Sequence, residues 1–243
     1  MQIIKLDATE STNTYLKELS AKKEVQDFTI ITTENQTSGR GQLNSKWESE
    51  RGKNLAISIL KKNINIPVNC LYLMNVCVSL SVLNSLNQLS IPNLKVKWPN
   101  DILSGDFKIG GILIENIISG SKIKRSIIGF GLNVNQSEFK NAPNASSLKT
   151  IMGYDFNLDS VFYAIIENLH QQLSSPILTF ENEFYNLYHS QLYRIGVKST
   201  FIIQKDETID GVIEGVSKNG KLRVKLENGI IQEFGLKEIQ LQY

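Results

Sequence analysis

The chain has 243 residues, of which 41% are hydrophobic, and its formal net charge at pH 7 is +2. That length can bury a sizeable core in one large domain or two unequal ones, and the small net charge excludes the basic surface of a general nucleic-acid binder. The sequence has no run of about 18 apolar residues and no secretory signal, so we expect a cytoplasmic protein without a membrane span.

The amino terminus predicts a strand followed by a helix. Ile3 to Leu6 has a strand pattern, and the helical pattern of Thr14 to Leu19 follows the polar run Ser11-Thr12-Asn13. Ser, Thr and Asn are ordinary helix caps, but a helix start also offers free amide groups and hydroxyls to a polar ligand. The residues alone leave both interpretations open.

A long polar loop separates the next two predicted strands, Phe28 to Thr32 and Asn54 to Leu60. A loop of about twenty residues is uncommon in a compact domain unless it is functional. This loop carries Gly39-Arg40-Gly41 and Lys46, so its backbone amides and cations could face a phosphate. Gly-Arg-Gly is a weak signal by itself, and an ordinary surface loop is the alternative.

An apolar helix is predicted over residues 69 to 88. Its two cysteines, Cys70 and Cys77, would lie about 10 Å apart along the helix, which is too far for a disulfide, so we expect reduced core thiols. The only histidines are His170 and His189, both in helical patterns. We interpret them as ordinary helix residues, so neither a zinc site nor a histidine-based triad is expected.

The central segment carries the most informative pattern. Leu94 to Trp98 alternates apolar and polar residues like a half-buried strand and ends at Pro99-Asn100-Asp101, where turn formers place a carboxylate at a strand end. After the Ser104 to Asp106 turn, Lys108 leads into a returning strand that contains Gly110-Gly111. Glycines weaken a strand unless a backbone or ligand approaches closely, which suggests a ligand against this strand. A hairpin with a solvated lysine is the alternative.

The rest of the chain predicts a strand from Ile127 that ends at Asn133, helices near 158 to 174 and 176 to 190, and then short strands only. These last strands are Val197 to Gln204, Thr208 to Ser217, Lys221 to Leu226 and Ile230 to Gly235, with turns at Asp206-Glu207 and at two Asn-Gly pairs. We therefore predict an α+β protein with a mixed or antiparallel sheet and helices on one face. Residues 1–193 would form this domain, and residues 194–243 a small barrel.

Four blocks together resemble the biotin protein ligase family. The pattern K-W-P-N-D, a short gap and K-x-x-G-I-L occupies Lys97 to Asp101 and Lys108 to Leu113, and is highly specific. The others are E-S-T-N at Glu10 to Asn13, the Gly39 to Gly41 loop, and G-x-G-x-N at Gly129 to Asn133. The resemblance covers nearly the whole chain. It implies a class II synthetase-like catalytic domain followed by an SH3-like carboxy-terminal domain.

The resemblance also implies the roles of individual residues. Lys108, Arg40 and Asp101 would be catalytic, and Asp101 would also be a ligand of Mg²⁺. The implied biotin-binding residues are Ser11, Thr12, Asn13, Gln36, Gly39, Arg40, Gly41, Lys108, Gly111 and Leu113. The implied ATP or adenylate contacts are Arg40, Trp47, Lys97, Asn100, Asp101, Lys108 and Asn133. Many members carry arginine where this chain has Gln42, so retention of the adenylate is expected to be weaker.

The implied activity is ligation of biotin, with ATP and Mg²⁺, to a biotin carboxyl carrier protein of a carboxylase such as acetyl-CoA carboxylase. The catalytic motif begins at residue 10, so we expect no repressor domain and no DNA binding. An edge strand near the 39 to 53 loop would suit a homodimer or a carrier contact, and a monomer stays possible. The alternatives are a lipoate or octanoate ligase, which would favour an acyl chain over a urea, and a non-catalytic biotin sensor.

Overall fold

A seven-stranded sheet forms the larger part of the computed structural model, which describes residues 1–175, 177–203 and 207–242. In space the strands follow the order β1-β2-β3-β7-β6-β5-β4. β1 pairs with β2 in parallel, and the other neighbours pair antiparallel, so the sheet is mixed as predicted. The strands are β1 (Gln2–Thr9), β2 (Thr29–Gln36), β3 (Leu55–Lys62), β4 (Leu94–Lys97), β5 (Asp101–Ser104), β6 (Phe107–Ser119) and β7 (Lys122–Leu132).

Helices cover both faces of this sheet. They are α1 (Thr12–Lys22), α2 (Leu73–Gln88), α3 (Leu148–Met152), α4 (Leu158–Ser174) and α5 (Glu181–Gln191). Neighbouring strand residues point to opposite faces, so Ile30 joins the large core with α2 and α4, while Ile31 packs with Leu16 of α1. The helices lie on one face as predicted, except that the short α1 covers the other face. The sequence predicted α1 itself, but it did not show the small apolar cluster that α1 covers on this face.

The α2 segment is the centre of the large core. The stretch Val68–Gln88 is long and apolar enough to cross a membrane by length and composition, but 67% of its most apolar 18-residue segment is buried inside the fold. Burial of this kind is typical of a core helix that is apolar all round. The stretch is therefore only weak evidence for a membrane span. Cys70 and Cys77 are free, buried thiols, and burial raises the pKa of each. The predicted helix of 176 to 190 begins later, at Glu181, after a short 3-10 turn, and its first predicted position, residue 176, lies outside the described residues.

A second, five-stranded antiparallel sheet follows near the carboxy terminus, in the order β11-β10-β9-β8-β12. Its strands are β8 (Lys198–Ile203), β9 (Thr208–Val216), β10 (Leu222–Leu226), β11 (Ile231–Phe234) and β12 (Ile239–Leu241). The sequence predicted all but β12, and the predicted positions Gln204 and Asp206 lie outside the described residues. The two sheets share one continuous core, and Trp98 Nε1 donates a hydrogen bond to Gly220 O at 2.9 Å.

Candidate active site

All four sequence blocks meet at one cavity of about 480 Å³ beside the sheet. The start of α1, the loop after β2 and the turn before β5 surround it, and β6 and β7 contribute wall residues. The predicted site residues that line the cavity are Ser11, Thr12, Asn13, Gln36, Arg40, Gly41, Trp47, Asn100, Asp101, Lys108, Gly111 and Leu113. Residues that lie far apart in the chain therefore form one site.

The start of α1 points buried polar groups at the cavity. Ser11 occupies the N-cap position, but its side chain makes no capping hydrogen bond, so its hydroxyl is not used as an ordinary cap. Gln36 Oε1 accepts hydrogen bonds from Thr12 N at 2.9 Å and from Thr12 Oγ1 at 3.1 Å. These contacts fix the orientation of the Gln36 amide and leave its nitrogen for another partner.

Asn13 is held in a single orientation from three sides. Its Nδ2 donates to Leu113 O at 3.2 Å and to Glu115 Oε2 at 3.1 Å. On the other side, Ser58 Oγ lies 2.5 Å from Asn13 Oδ1 and 2.8 Å from Thr12 Oγ1. Gly129 lies against the same amide, and a Cβ there would collide with Asn13 Oδ1. Sequence reasoning missed Ser58, although a serine within the apolar strand Leu55 to Leu60 was a signal.

Lys108 and Asp101 form an ion pair across β5 and β6, with Nζ 2.6 Å from Oδ1. The register of these strands shifts between Ile102 and Leu103, so β6 carries one extra residue there. The shift turns Lys108 and Gly111 to the same side, and a Cβ at Gly111 would lie 3.6 Å from Lys108 Cε. The ammonium group also lies 5.9 Å from the centre of the Trp47 ring.

The loop after β2 folds into a small hairpin over the cavity. Gly41 N donates to Ser45 O at 2.8 Å, and Trp47 N donates to Gly39 O at 2.9 Å. The Trp47 indole lies against Gly131, where a Cβ would stand only 2.6 Å from its ring. Its Nε1 is buried and has no partner among the described residues. We call residues 39–47 the lid.

Arg40 of the lid pairs with Glu115, a residue that the sequence analysis did not select. Its Nη2 lies 3.0 Å from Glu115 Oε1, and its Nη1 donates to Thr14 Oγ1 at 3.3 Å. Burial opposes ionisation of Glu115, but the Arg40 charge and the hydrogen bond from Asn13 outweigh it and lower the pKa of this carboxyl. The guanidinium thus faces the Asn13 side of the cavity.

Three predicted site residues lie outside the cavity wall. Gly39 lies behind it against Gln36 and Trp47. Lys97 lines an adjoining cavity of about 190 Å³. Asn133 is buried, and its Nδ2 donates to Ser146 O at 3.0 Å, while its Oδ1 has no partner among the described residues.

Other polar groups in the site are already engaged by the protein. Asn100 Nδ2 donates to Ile112 O at 2.6 Å, so this amide nitrogen holds the turn in place. Asp101 supplies the carboxylate of the cavity wall, and no cluster of three or more His, Cys, Asp or Glu side chains suited to a metal occurs in the described part of the chain. Gln240 of β12 also lines the cavity, so the second sheet contributes to the site. The sequence analysis missed this residue because β12 is too short to have been predicted.

The comparisons with known proteins agree with this geometry. A family model described as the biotin/lipoate A/B protein ligase family matches residues 6–133. The chain belongs to this family. The matched segment includes all four motif blocks, which confirms the resemblance that the sequence analysis drew from them.

Full-length relatives extend the match beyond that segment. The chain is 28% identical over 240 residues to the bifunctional ligase/repressor BirA of Escherichia coli, covering 98% of this chain and 73% of that protein. It is 26% identical to the biotin--[acetyl-CoA-carboxylase] ligase of Mycobacterium tuberculosis, covering 88% of this chain and 79% of the relative. These matches support the predicted ligase class of enzyme.

Among solved structures, the fold resembles the Aquifex aeolicus biotin protein ligase in complex with biotin and ATP. The TM-score is 0.79 at 27% identity, covering 99% of this chain and 98% of that one. The agreement includes the five-stranded sheet, so the predicted α+β class with a small carboxy-terminal domain is confirmed.

Proposed function

We propose that this family member is an ATP-dependent biotin protein ligase. It would convert biotin and ATP to biotinyl-5′-AMP and pyrophosphate, and then transfer biotin to a lysine of a carrier protein. The observation that carries the proposal is the cavity itself, in which a neutral polar cluster at Thr12, Asn13 and Gln36 faces the Lys108–Asp101 pair under one lid. The biotin and ATP of the Aquifex aeolicus complex agree with it.

The polar cluster suits a urea. A neutral urea offers one carbonyl acceptor and two N–H donors, so its site needs donors and acceptors rather than charge. Thr12, Asn13 and Gln36 supply them, and the contacts to Ser58 and Leu113 hold these groups before the ligand arrives. Preorganised groups of this kind lower the ordering cost of binding.

The Lys108–Asp101 pair marks the reacting end. A carboxylate oxygen of biotin attacks the α-phosphorus of ATP, forming a C–O–P bond, while the bond to the β-phosphate breaks and pyrophosphate leaves with the electron pair. Two anions must approach each other, and the Lys108 ammonium group offsets their repulsion. Asp101 holds the ammonium group in place through the contact of 2.6 Å.

The second step needs no covalent bond to the enzyme. The ε-amine of the carrier lysine attacks the acyl carbon of the mixed anhydride, AMP leaves with the electron pair, and the amine loses its proton. Until then the anhydride must be kept from water, and the lid with Trp47 against Gly131 covers the cavity.

Mg²⁺, when bound, would neutralise charge on the triphosphate. Asp101 is the residue that would hold it, because Mg²⁺ in such sites commonly takes one or two carboxylates and completes its shell with phosphate oxygens and water. The carboxylate already pairs with Lys108, so a single side chain would serve both charges. The residues present therefore fit Mg²⁺, with Asp101 as its single protein ligand.

The partners and organisation are also proposals. We infer a cytoplasmic enzyme that acts on a biotin carboxyl carrier protein, with residues 1–193 as catalytic domain and 194–243 as SH3-like domain. β1 is an outer strand of the sheet, and its last residue, Thr9, pairs with Gln36 beside the lid. This edge would accept either a second copy of the chain or the carrier.

Two other activities stay open within this geometry. A lipoate or octanoate ligase would share the lysine, as the family description allows, and a biotin sensor would bind without chemistry. The polar cluster at Thr12 and Asn13 favours a urea over an acyl chain. Biotin-dependent adenylation separates all three.

The test is pyrophosphate release from MgATP by the full chain without carrier, with biotin, lipoate or octanoate as the acid. We expect release with biotin, and its loss in Lys108→Ala, while Lys124→Ala, an exposed lysine on β7, keeps wild-type turnover. Tight biotin binding without release would support the sensor. Release with lipoate or octanoate in place of biotin would overturn the assignment of substrate.

A further inference from the structure

Glu115 on β6 connects three parts of the site. Its Oε2 accepts from Asn13 Nδ2 at 3.1 Å, and its Oε1 lies 3.0 Å from Arg40 Nη2 and 3.5 Å from Lys17 Nζ. One carboxylate therefore touches the urea side of the cavity and the lid at the same time. It does not line the cavity itself.

The two halves of the 39 to 53 loop are held in different ways. Backbone groups fix the second half to the sheet, since Gly52 N donates to Glu34 O at 3.0 Å and Lys53 O accepts from Asn135 N at 2.8 Å. The hydrogen bonds of Gly39 and Gly41 stay inside the lid hairpin. The lid meets the rest of the protein through side chains, chiefly Trp47 against Gly131 and Arg40 on Glu115.

The Arg40–Glu115 pair should stabilise the closed lid more strongly than an ion pair on the open surface would. The Glu115 side chain is 22% exposed, and the Asn13 amide fixes its second oxygen, so little side-chain freedom is lost when Arg40 arrives. Hydrogen bonds between two charged groups are stronger than neutral ones. Arg40 stays about half exposed, so the contact can open without unfolding its surroundings.

We propose that Glu115 is a positioning residue that latches the lid closed through Arg40 while it orients Asn13 for the ligand. Biotin can enter or leave only after this contact opens, so Glu115 sets the rate of exchange. The ligand in this statement rests on the proposed function, whereas the latch itself does not.

The first test uses the ligand-free full chain. Chymotrypsin cleaves after Trp47, whose side chain is half-buried against Gly131 while the lid is closed, and neither Glu115→Gln nor Arg40→Gln changes that cleavage site. We expect each variant to be cut about five- to tenfold faster, as loss of a partly buried charged hydrogen bond implies. The double variant should be cut no faster than either single one, because both remove the same contact.

Glu18→Gln is the matched control, because Glu18 is an exposed carboxylate of α1 that pairs with Lys22. It should be cut at the wild-type rate. Unchanged cleavage in Glu115→Gln, or additive effects in the double variant, would overturn the latch. If Glu115→Gln does not fold, Arg40→Gln tests the same contact from the lid side.

The second test measures biotin exchange and turnover. Glu115→Gln should release biotin about five- to tenfold faster and raise the KM for biotin, while kcat falls less than KM rises. A merely structural role would lower the melting temperature and the active fraction, with biotin release unchanged in the folded molecules. If the wild-type chain binds no biotin, the proposed function fails, but the cleavage rates still decide whether the latch exists.

Discussion

Lys108 reaches Asp101 because an extra residue in β6 turns the lysine toward the cavity. In a regular strand, residues three apart point to opposite faces, but the register shift beside Ile102 places Lys108 and Gly111 on the same side. The ion pair at 2.6 Å then fixes the ammonium group over the bare backbone of Gly111. The Lys108 side chain is therefore oriented by a bulge and held by a carboxylate.

Asp101→Asn should lower the kcat of adenylation about 10- to 100-fold, because Lys108 loses the charge that orients it and the proposed Mg²⁺ site loses its carboxylate. Both side chains are partly exposed, so the free energy of unfolding should change by less than about 1 kcal/mol. Pyrophosphate release and urea denaturation give the two values. Asp155→Asn, an exposed partner of Lys149, is the control, and wild-type turnover in Asp101→Asn would remove this carboxylate from the mechanism.

Ser58→Ala should weaken biotin binding about fivefold. The hydroxyl is fully buried and contacts both Thr12 and Asn13, so its loss leaves two polar groups less constrained, at a cost of about 1 kcal/mol. Calorimetric titration with biotin measures the effect. Ser126→Ala removes a buried hydroxyl of β7 that bonds Asn116, away from the cavity, and should leave biotin affinity unchanged. Equal losses in both variants would point to a general loss of stability.

Local patterns predicted most of this fold. The strands and helices follow from apolar periodicity and from turn residues, so even the limits of α4, Leu158 to Ser174, match the sequence expectation. Most of the site residues that the family motifs predicted line the cavity, with Gly39, Lys97 and Asn133 as exceptions. What they did not predict are contacts between residues distant in the chain: Ser58 with Asn13, and Glu115 with Arg40.

Two further differences have physical reasons. β12 is three residues long, and it forms only because β8 offers an edge, which no local pattern reveals. The bulge in β6 depends on the pairing with β5. The sequence therefore indicated a weak strand at Gly110-Gly111 but did not show that the Lys108 side chain would point to the same side as Gly111. The position of a side chain in a sheet is a property of register, and register is set by the partner strand.

Gly131→Ala should impair ATP use more than biotin binding. A Cβ at this position would stand 2.6 Å from the Trp47 ring, so the indole must move and the lid cannot close in the same way. Gly129→Ala is the matched variant, because its Cβ would instead collide with Asn13 on the proposed urea side. We expect KM to rise mainly for ATP in the first and mainly for biotin in the second, each about tenfold or more. The same pattern in both would contradict the division of the cavity into two ends.

Gln42→Arg should slow the escape of the adenylate. Gln42 lines the cavity in the lid, and its Oε1 is buried without a partner among the described residues. A guanidinium there would add a charged hydrogen bond to the phosphate, worth about tenfold in retention. The rate at which preformed adenylate leaves the enzyme after gel filtration measures this. Ser38→Arg adds the same charge at an exposed residue just before the lid that does not line the cavity, and it should change the rate little; no difference between the two variants would rule out a direct contact.

Lowering the pH should weaken the contact between α5 and the second sheet through His189. Its Nε2 lies 3.0 Å from Val216 N and 3.1 Å from Val216 O, and in the neutral tautomer with the proton on Nδ1 it accepts the Val216 amide hydrogen. Burial, helped by the positive charge of Arg223, outweighs the contact with the Val216 backbone and lowers the pKa of His189 in the folded state. The unfolded chain therefore binds the proton more readily, and the stabilising contribution is complete above about pH 6.5 and is lost as the pH falls through the folded pKa.

Urea midpoints measured between pH 7.5 and pH 5 test this sign. The wild-type midpoint should fall with pH, and His189→Gln, which can still accept the amide hydrogen but does not titrate, should lose that part of the dependence. His170→Gln alters the other histidine, which packs edge-on against Phe28 in the larger core, and should keep the wild-type slope. If His189→Gln keeps the full slope as well, the acid sensitivity arises from carboxylates elsewhere in the fold.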